Sequence, residues 1–275
     1  MQTMDVQRIP VAFEVLGEGA PILLIHGWQG DHRYMAADLE PVFEVVGGWR
    51  RIYVDLPGHG QTPAPPWLKS QAQVVSVLSG FVDAVLGKET FAVAGNSYGG
   101  YLTLSLVRSM PDRLRGAALL VPDLPTADGM REAPSHTTII KDPAAFADLA
   151  ADEAWIPGRL VEQSRMAVLE IREHEMPSIR LADQTFLARL NENYLLPAEL
   201  AMPGAAFDRP SLILTGRQDA LVGYRAGWGL LDEFPRATYA TLDLAGHWLG
   251  RVERPEAFRA LARDWLDRVE HERTR

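Results

Sequence analysis

The 275-residue chain contains no cysteine. That excludes disulfide bridges, a thiol nucleophile and thiolate metal sites, while remaining compatible with any compartment. No window has the length of apolar sequence that a membrane span requires. The first eight residues lack the basic stretch and apolar run of an export signal, so a non-secreted, cytoplasmic protein is expected. Basic charge is in deficit, with 27 Lys and Arg against 36 Asp and Glu and a net charge of -9. The signs are interspersed along the chain, so neither nucleic acid nor an anionic membrane is expected as a partner. Internal repeats and low-complexity tracts are missing as well. His32, His136, His174 and His271 are read as lacking ligand-type spacing, and no metal site is assigned.

What is present is an ordinary globular composition, 47% hydrophobic, long enough for one large α/β domain with an inserted part. Strands are expected over residues 11–16, 21–26, 51–55, 91–95, 116–121, 211–215 and 238–242. Most are continuous apolar runs, as for strands buried on both faces. Helical periodicity appears between them in Val74, Val75, Leu78, Phe81, Val82 and Val85, and again from Phe258 to Val269 behind Pro255. Strands alternating with helices imply an α/β fold with a mostly parallel central sheet covered on both sides. Residues 125–208 break the pattern: they offer no convincing strand, helix-like stretches at 144–151, 159–174 and 179–194, and several prolines. The expected division is therefore a core of residues 1–124 and 209–275 with a helical lid at 125–208.

The most informative motif is Gly95-Asn96-Ser97-Tyr98-Gly99, placed between an apolar strand and an apolar helix. A serine on so tight a strand-to-helix turn takes a strained backbone, and glycines two positions either side let strand and helix approach. Ser97 is the candidate nucleophile. A serine hydroxyl is weak until a base takes its proton, so a histidine and an orienting carboxylate are expected on later loops. Asp219 follows the 211–215 strand in Gly216-Arg217-Gln218-Asp219, and His247 follows the 238–242 strand in Ala245-Gly246-His247-Trp248. Asp219 could otherwise cap a helix, and Asp123, after the 116–121 strand, is the rival acid. Two N–H donors for an oxyanion would come from Tyr98, after the nucleophile, and Trp28, in the loop after the 21–26 strand. His26 and His59 read as buried residues bracing loops, not as second bases.

As a set, His26-Gly27-Trp28, Asp55-Leu-Pro-Gly-His-Gly60, the Ser97 elbow and the two loops carrying Asp219 and His247 closely resemble the α/β-hydrolase superfamily, in its lid-bearing branch. The chain order Ser, Asp, His is also the order found in that superfamily. The resemblance implies a triad of Ser97, Asp219 and His247, an oxyanion hole at Trp28 and Tyr98, and no cofactor. It implies a serine hydrolase acting on a small-molecule ester, thioester or lactone. Asn96 and Trp248 are similar to residues of carbon-carbon bond hydrolases acting on ring-cleavage products. The loop Gly27-Trp-Gln-Gly-Asp31 departs from the glycine- and serine-rich loop of that group. No clear counterpart of its substrate-binding arginine stands out among Arg159, Arg165, Arg172, Arg180 and Arg189.

Haloalkane dehalogenases and epoxide hydrolases would carry aspartate where Ser97 stands. An aminopeptidase of this superfamily would need an acidic cluster in the lid, and Glu170, Glu173 and Glu175 read instead as a solvated helix face. A lyase or oxygenase using His247 as base, or a ligand sensor, are the readings outside hydrolysis. Trp155, Tyr194 and Trp248 are expected at the substrate pocket, with Phe146, Met202 and Phe207 as further apolar lining.

Overall fold

The computed structural model describes residues 1–126, 128–201 and 204–273. Eight strands form one sheet: β1 Gln2–Val6, β2 Ile9–Leu16, β3 Ala20–Ile25, β4 Trp49–Val54, β5 Phe91–Asn96, β6 Leu114–Leu120, β7 Ser211–Gly216 and β8 Ala237–Leu242. Their spatial order is β1-β2-β4-β3-β5-β6-β7-β8. β1 pairs antiparallel with β2, and β2 antiparallel with β4, whereas every pair from β4 to β8 is parallel. Parallel neighbours need crossovers, and helices supply them on both faces. The helices are α1 His32–Phe43, α2 Gln71–Leu86, α3 Tyr98–Ser109, α4 Arg165–His174, α5 Met176–Leu181, α6 Gln184–Asn191, α7 Ala198–Ala201, α8 Arg225–Trp228 and α9 Pro255–Arg273.

The period-2 alternation of β3 decides which core each side chain enters. Leu23 and Ile25 join the cluster containing Val74, Leu78 and Phe81 of α2 and Leu102 and Leu106 of α3. Ile22 and Leu24 join the opposite cluster, with Met35 and Leu39 of α1 and Phe258, Trp265 and Leu266 of α9. Burial on both faces explains why β3, β5 and β7 read as continuous apolar runs. None of the helices among the described residues is long and apolar enough to cross a membrane.

β1 is absent from the sequence expectation. Only Val6 of Gln2–Val6 is buried, because an edge strand joins the sheet through its backbone and needs no apolar run. The stretch between β6 and β7 contains no strand among the described residues, as expected, but its helices are shorter than the periodicity suggests. Residues 144–151 form 3-10 turns at Pro143–Phe146 and Ala151–Glu153. The 159–174 helix begins only at Arg165, where the Ser164 hydroxyl caps it by accepting from Ala167 N. The 179–194 helix is cut in two at Asp183, whose carboxylate accepts from Phe186 N and starts α6. This inserted segment carries a small core of its own, with Ile156, Leu160, Val168, Ile171 and Met176 fully or almost fully buried.

Candidate active site

β5 runs directly into α3, and Ser97 lies at the junction with φ 54° and ψ -115°. A non-glycine residue there costs about 1–3 kcal/mol, sustained by the surrounding fold. A β-carbon on Gly95 would lie 2.1 Å from Gly99 O, and one on Gly99 would lie 2.1 Å from Ile25 O. Both positions therefore require glycine, because strand and helix are in backbone contact. Ser97 is only 9% exposed and lines a cavity of about 670 Å³ that it shares with His247.

Asp219 is completely buried at the end of β7. Its Oδ1 accepts from Leu221 N at 2.8 Å and Val222 N at 3.0 Å, while Oδ2 lies 2.7 Å from His247 Nδ1. Asp219 thus holds the Leu221–Val222 turn and partners the histidine at once, but it caps no helix, since α8 begins only at Arg225 with Tyr224 before it. A carboxylate only accepts, so Nδ1 carries the proton and Nε2 is left as the basic nitrogen. Burial pulls the imidazole pKa down, but Asp219 and, further off, Glu175 outweigh it, and the net shift is upward.

Asp123, the rival acid, is engaged elsewhere. Arg131 Nε and Nη2 reach its two oxygens at 2.6 and 2.7 Å, and the Tyr194 hydroxyl donates to Oδ2 at 2.5 Å. All three residues line the cavity.

The loop after β3 turns back through a Gly30 N to Gly27 O bond, with Gln29 at φ 61°. A β-carbon on Gly27 would sit 3.3 Å from Ser97 Cβ and 3.1 Å from Asn96 Oδ1, so this loop lies against the elbow. Tyr98 opens α3, where first-turn N–H groups have no acceptor within the helix. The Trp28 and Tyr98 rings meet edge to face with centroids 5.2 Å apart, and Tyr194 closes on both. Beneath them His26 Nδ1 donates to Gly27 O at 2.7 Å and its Nε2 accepts from Leu56 N at 3.0 Å, which braces the loop. His59 is fully buried, and desolvation with His26 nearby pushes its pKa down to about 3.

Trp155 and Trp248 stack at 5.7 Å and 27° to form one wall of the cavity, with Trp248 edge-on to His247. Phe146 packs into the small core of the inserted segment, and Phe207 packs against Phe234 in the main core, so neither is a lining residue among those described. Met202 lies outside the described residues.

The glutamate run is not one solvated face. Glu173 is exposed, but Glu175, at the joint between α4 and α5, turns into the cavity and accepts from Trp248 Nε1. Burial raises its pKa. The signal in the sequence is Pro177, which stands in the first turn of α5 and marks a new helix after α4. Glu170 also forms an i, i+4 pair with His174 at 3.7 Å, so the spacing denied to His174 is in fact there. Arg165, Arg172 and Arg180 pair with Asp148, Glu153 and Asp152. Arg159 lines the cavity, and no ion-pair partner for it is found among the described residues.

Asp31, His32 and Asp55 bring three ligand-type atoms within 4.8 Å, a grouping invisible in spacing because Asp55 follows another strand. Their atoms are already engaged. Asp31 caps α1 and binds Arg33, and Asp55 accepts from His32 N, His32 Nδ1 and Gln61 N.

The sheet order, the helices on both faces and the strand-turn-helix at Ser97 define the class, and comparison with known proteins agrees. Residues 20–250 match the sequence pattern of the alpha/beta hydrolase fold family, and the chain belongs to that family. It is 27% identical over 257 residues to a 2-hydroxymuconate semialdehyde hydrolase of Pseudomonas putida, covering 91% of this chain and 88% of that protein. It is 26% identical over 275 residues to 2-hydroxy-6-oxononadienedioate/2-hydroxy-6-oxononatrienedioate hydrolase 2 of Pseudomonas putida, covering 91% and 89%. The crystal structure of an alpha/beta superfamily hydrolase from Oenococcus oeni PSU-1 superposes with a TM-score of 0.87 at 23% identity, over 98% of this chain and 100% of that one. The last similarity concerns the fold.

Proposed function

We propose that this hydrolase works through an acyl-enzyme on Ser97, with a small, largely apolar ester as the simplest substrate. The observation that carries the reading is the Asp219-held imidazole of His247 opening into the same cavity as a serine on a strained elbow. His247 Nε2 takes the Ser97 proton as Oγ attacks the carbonyl carbon, and the oxyanion is held by the Trp28 and Tyr98 amides. The imidazolium then protonates the leaving alkoxide. Water, deprotonated by the same nitrogen, attacks the acyl group and restores Ser97. Asp219 fixes the tautomer throughout. Residues 125–208 act as the cap, a role supported by Arg131, Trp155, Glu175 and Tyr194 forming cavity walls above Ser97.

A second reading, hydrolysis of a carbon-carbon bond next to a ketone, is favoured by one observation. Trp248, which follows the histidine as in the ring-cleavage product hydrolases this chain resembles, lies edge-on to His247 and stacks on Trp155, and the names of the two relatives above support the same reading. In that reaction the leaving group is a carbon that must be protonated instead of an alkoxide.

Fluorophosphonate labelling and turnover of p-nitrophenyl esters of increasing acyl length, with Ser97→Ala as control, test the first reading. Labelling without ester turnover, together with consumption of a vinylogous 1,5-diketone, would favour the second. No labelling of the native protein would remove both.

A further inference from the structure

The turn that carries His247 is held from behind by a carboxylate that takes no part in the mechanism above. Glu253 closes the π-helical turn Leu249–Glu253 just before α9 and is 6% exposed. Its Oε2 accepts from Gly246 N at 2.6 Å, one residue before His247, and its Oε1 accepts from Val161 N at 3.1 Å in the inserted segment. Its own N–H donates to Trp248 O at 3.0 Å, one residue after His247. The contact is close: a β-carbon on Gly246 would lie 3.1 Å from Val161 Cγ2 and 3.3 Å from Glu253 Oε1. On its other side the turn rests on the end of β7, since a β-carbon on Gly216 would meet Gly246 O at 2.1 Å. His247 therefore stands on a turn pinned between the loop bearing Asp219 and one side chain that also grips the inserted segment.

We propose that Glu253 is a positioning residue for His247, a carboxylate that ties the histidine turn to the cap at Val161 and so couples the base to cap placement. The proposal rests on His247 being the base. A buried carboxylate is a costly way to join two stretches of chain, which a neutral side chain could do with less desolvation. What only the ionised form offers is good acceptor capacity on both oxygens at once, one for each amide. A protonated carboxyl turns one oxygen into a donor facing an N–H group, and one arm of the tie is weakened. Burial moves this carboxyl pKa up to about 7, against the pull of the Val161, Gly246 and Trp248 backbone groups and with the help of the Asp219 charge. The tie thus changes state in the range where His247 itself must lose its proton to act.

The test combines Glu253→Gln with two readouts. Hydrogen-deuterium exchange, read by mass spectrometry on peptides spanning residues 159–163 and 244–249, reports the tie without reference to chemistry. The rate of fluorophosphonate labelling of Ser97 reports the base. Glu253→Gln should melt close to the native protein, exchange at least fivefold faster in at least one of the two peptides, and label about tenfold more slowly. Its labelling should fall toward acid with one ionisation where the native protein shows two. Unchanged exchange in both peptides overturns the proposal, as does slower labelling that merely tracks loss of folded protein. Should the variant not fold, native exchange at pH 6 and pH 8, corrected for intrinsic rates, decides: the proposal requires faster corrected exchange in at least one of the two peptides at pH 6 and fails if both exchange alike at the two pH values. A native protein that never labels would sink the Ser97 reading, and the exchange data would still judge the tie.

Discussion

Asp219 meets His247 with one oxygen only, and its other oxygen holds the turn at Leu221 and Val222. The two jobs can be separated by substitution. Asp219→Asn can keep the turn through its amide oxygen, but its NH2 group would face His247 Nδ1 and favour the wrong tautomer. The expected loss is about 10³- to 10⁴-fold in kcat with the fold intact. Asp219→Ala should lose the turn as well, leaving Leu221 N and Val222 N without this acceptor and adding about 1–3 kcal/mol of destabilisation. Steady-state kinetics on the best ester and urea denaturation of both variants check the split.

The upward shift of His247 sets the acid side of activity. The base works only when neutral, so turnover should fall as pH drops, with a midpoint above the ordinary histidine value. Stability linked to the same group runs the other way. A folded-state pKa above the unfolded one stabilises fully below the unfolded value, and that contribution disappears as pH rises through the folded value. A pH–kcat/KM profile beside urea midpoints at the same pH values should therefore show activity rising while the His247-linked share of stability falls. An acid midpoint at or below the ordinary value would count against His247 as the base.

How far the sequence could be read depended on whether an element was defined by its own residues or by its neighbours. β3, β5 and β7 are buried on both faces, so their apolar runs announce them, and the α/β-hydrolase fold follows from their alternation with helices. β1 is held by backbone pairing at an edge, and only Val6 among its residues is buried. The loops bearing Ser97, Asp219 and His247 were legible because each lies within a few residues of the end of an apolar or half-buried strand. Glu175 and Arg131 were not, because they reach the cavity from stretches whose placement depends on packing of the inserted segment. Helix lengths in that segment failed for a related reason: Ser164 and Asp183 start new helices inside apolar periodicity that continues across them.

Gly99 tests how tightly the elbow is built. A methyl group there would press on Ile25 O at 2.1 Å and on His26 O at 2.6 Å, both backbone atoms with nowhere to retreat. Gly99→Ala should cost about 3 kcal/mol, at the upper end of overpacking penalties. The backbone shift needed to relieve it would move the loop carrying Trp28, so labelling of the remaining folded protein should also slow. Denaturant midpoints and probe labelling at matched folded fraction would reveal both effects, and near-native values would mean that β3 and α3 are less tightly apposed than described.

Arg159 separates the two substrate readings. Of the arginines at the cavity, Arg131 is committed to Asp123, while Arg159 is exposed and, among the described residues, has no ion-pair partner. A ring-cleavage product carries a carboxylate, and a guanidinium free to receive it would contribute about 1.5–3 kcal/mol, or roughly ten- to a hundredfold in KM. A neutral p-nitrophenyl ester has nothing for that group to bind. Arg159→Gln should therefore raise KM for an anionic dienoate far more than for the neutral ester if the carbon-carbon reading holds. Equal, small effects on both would leave Arg159 as a solvated residue at the cavity wall and count in favour of the ester reading.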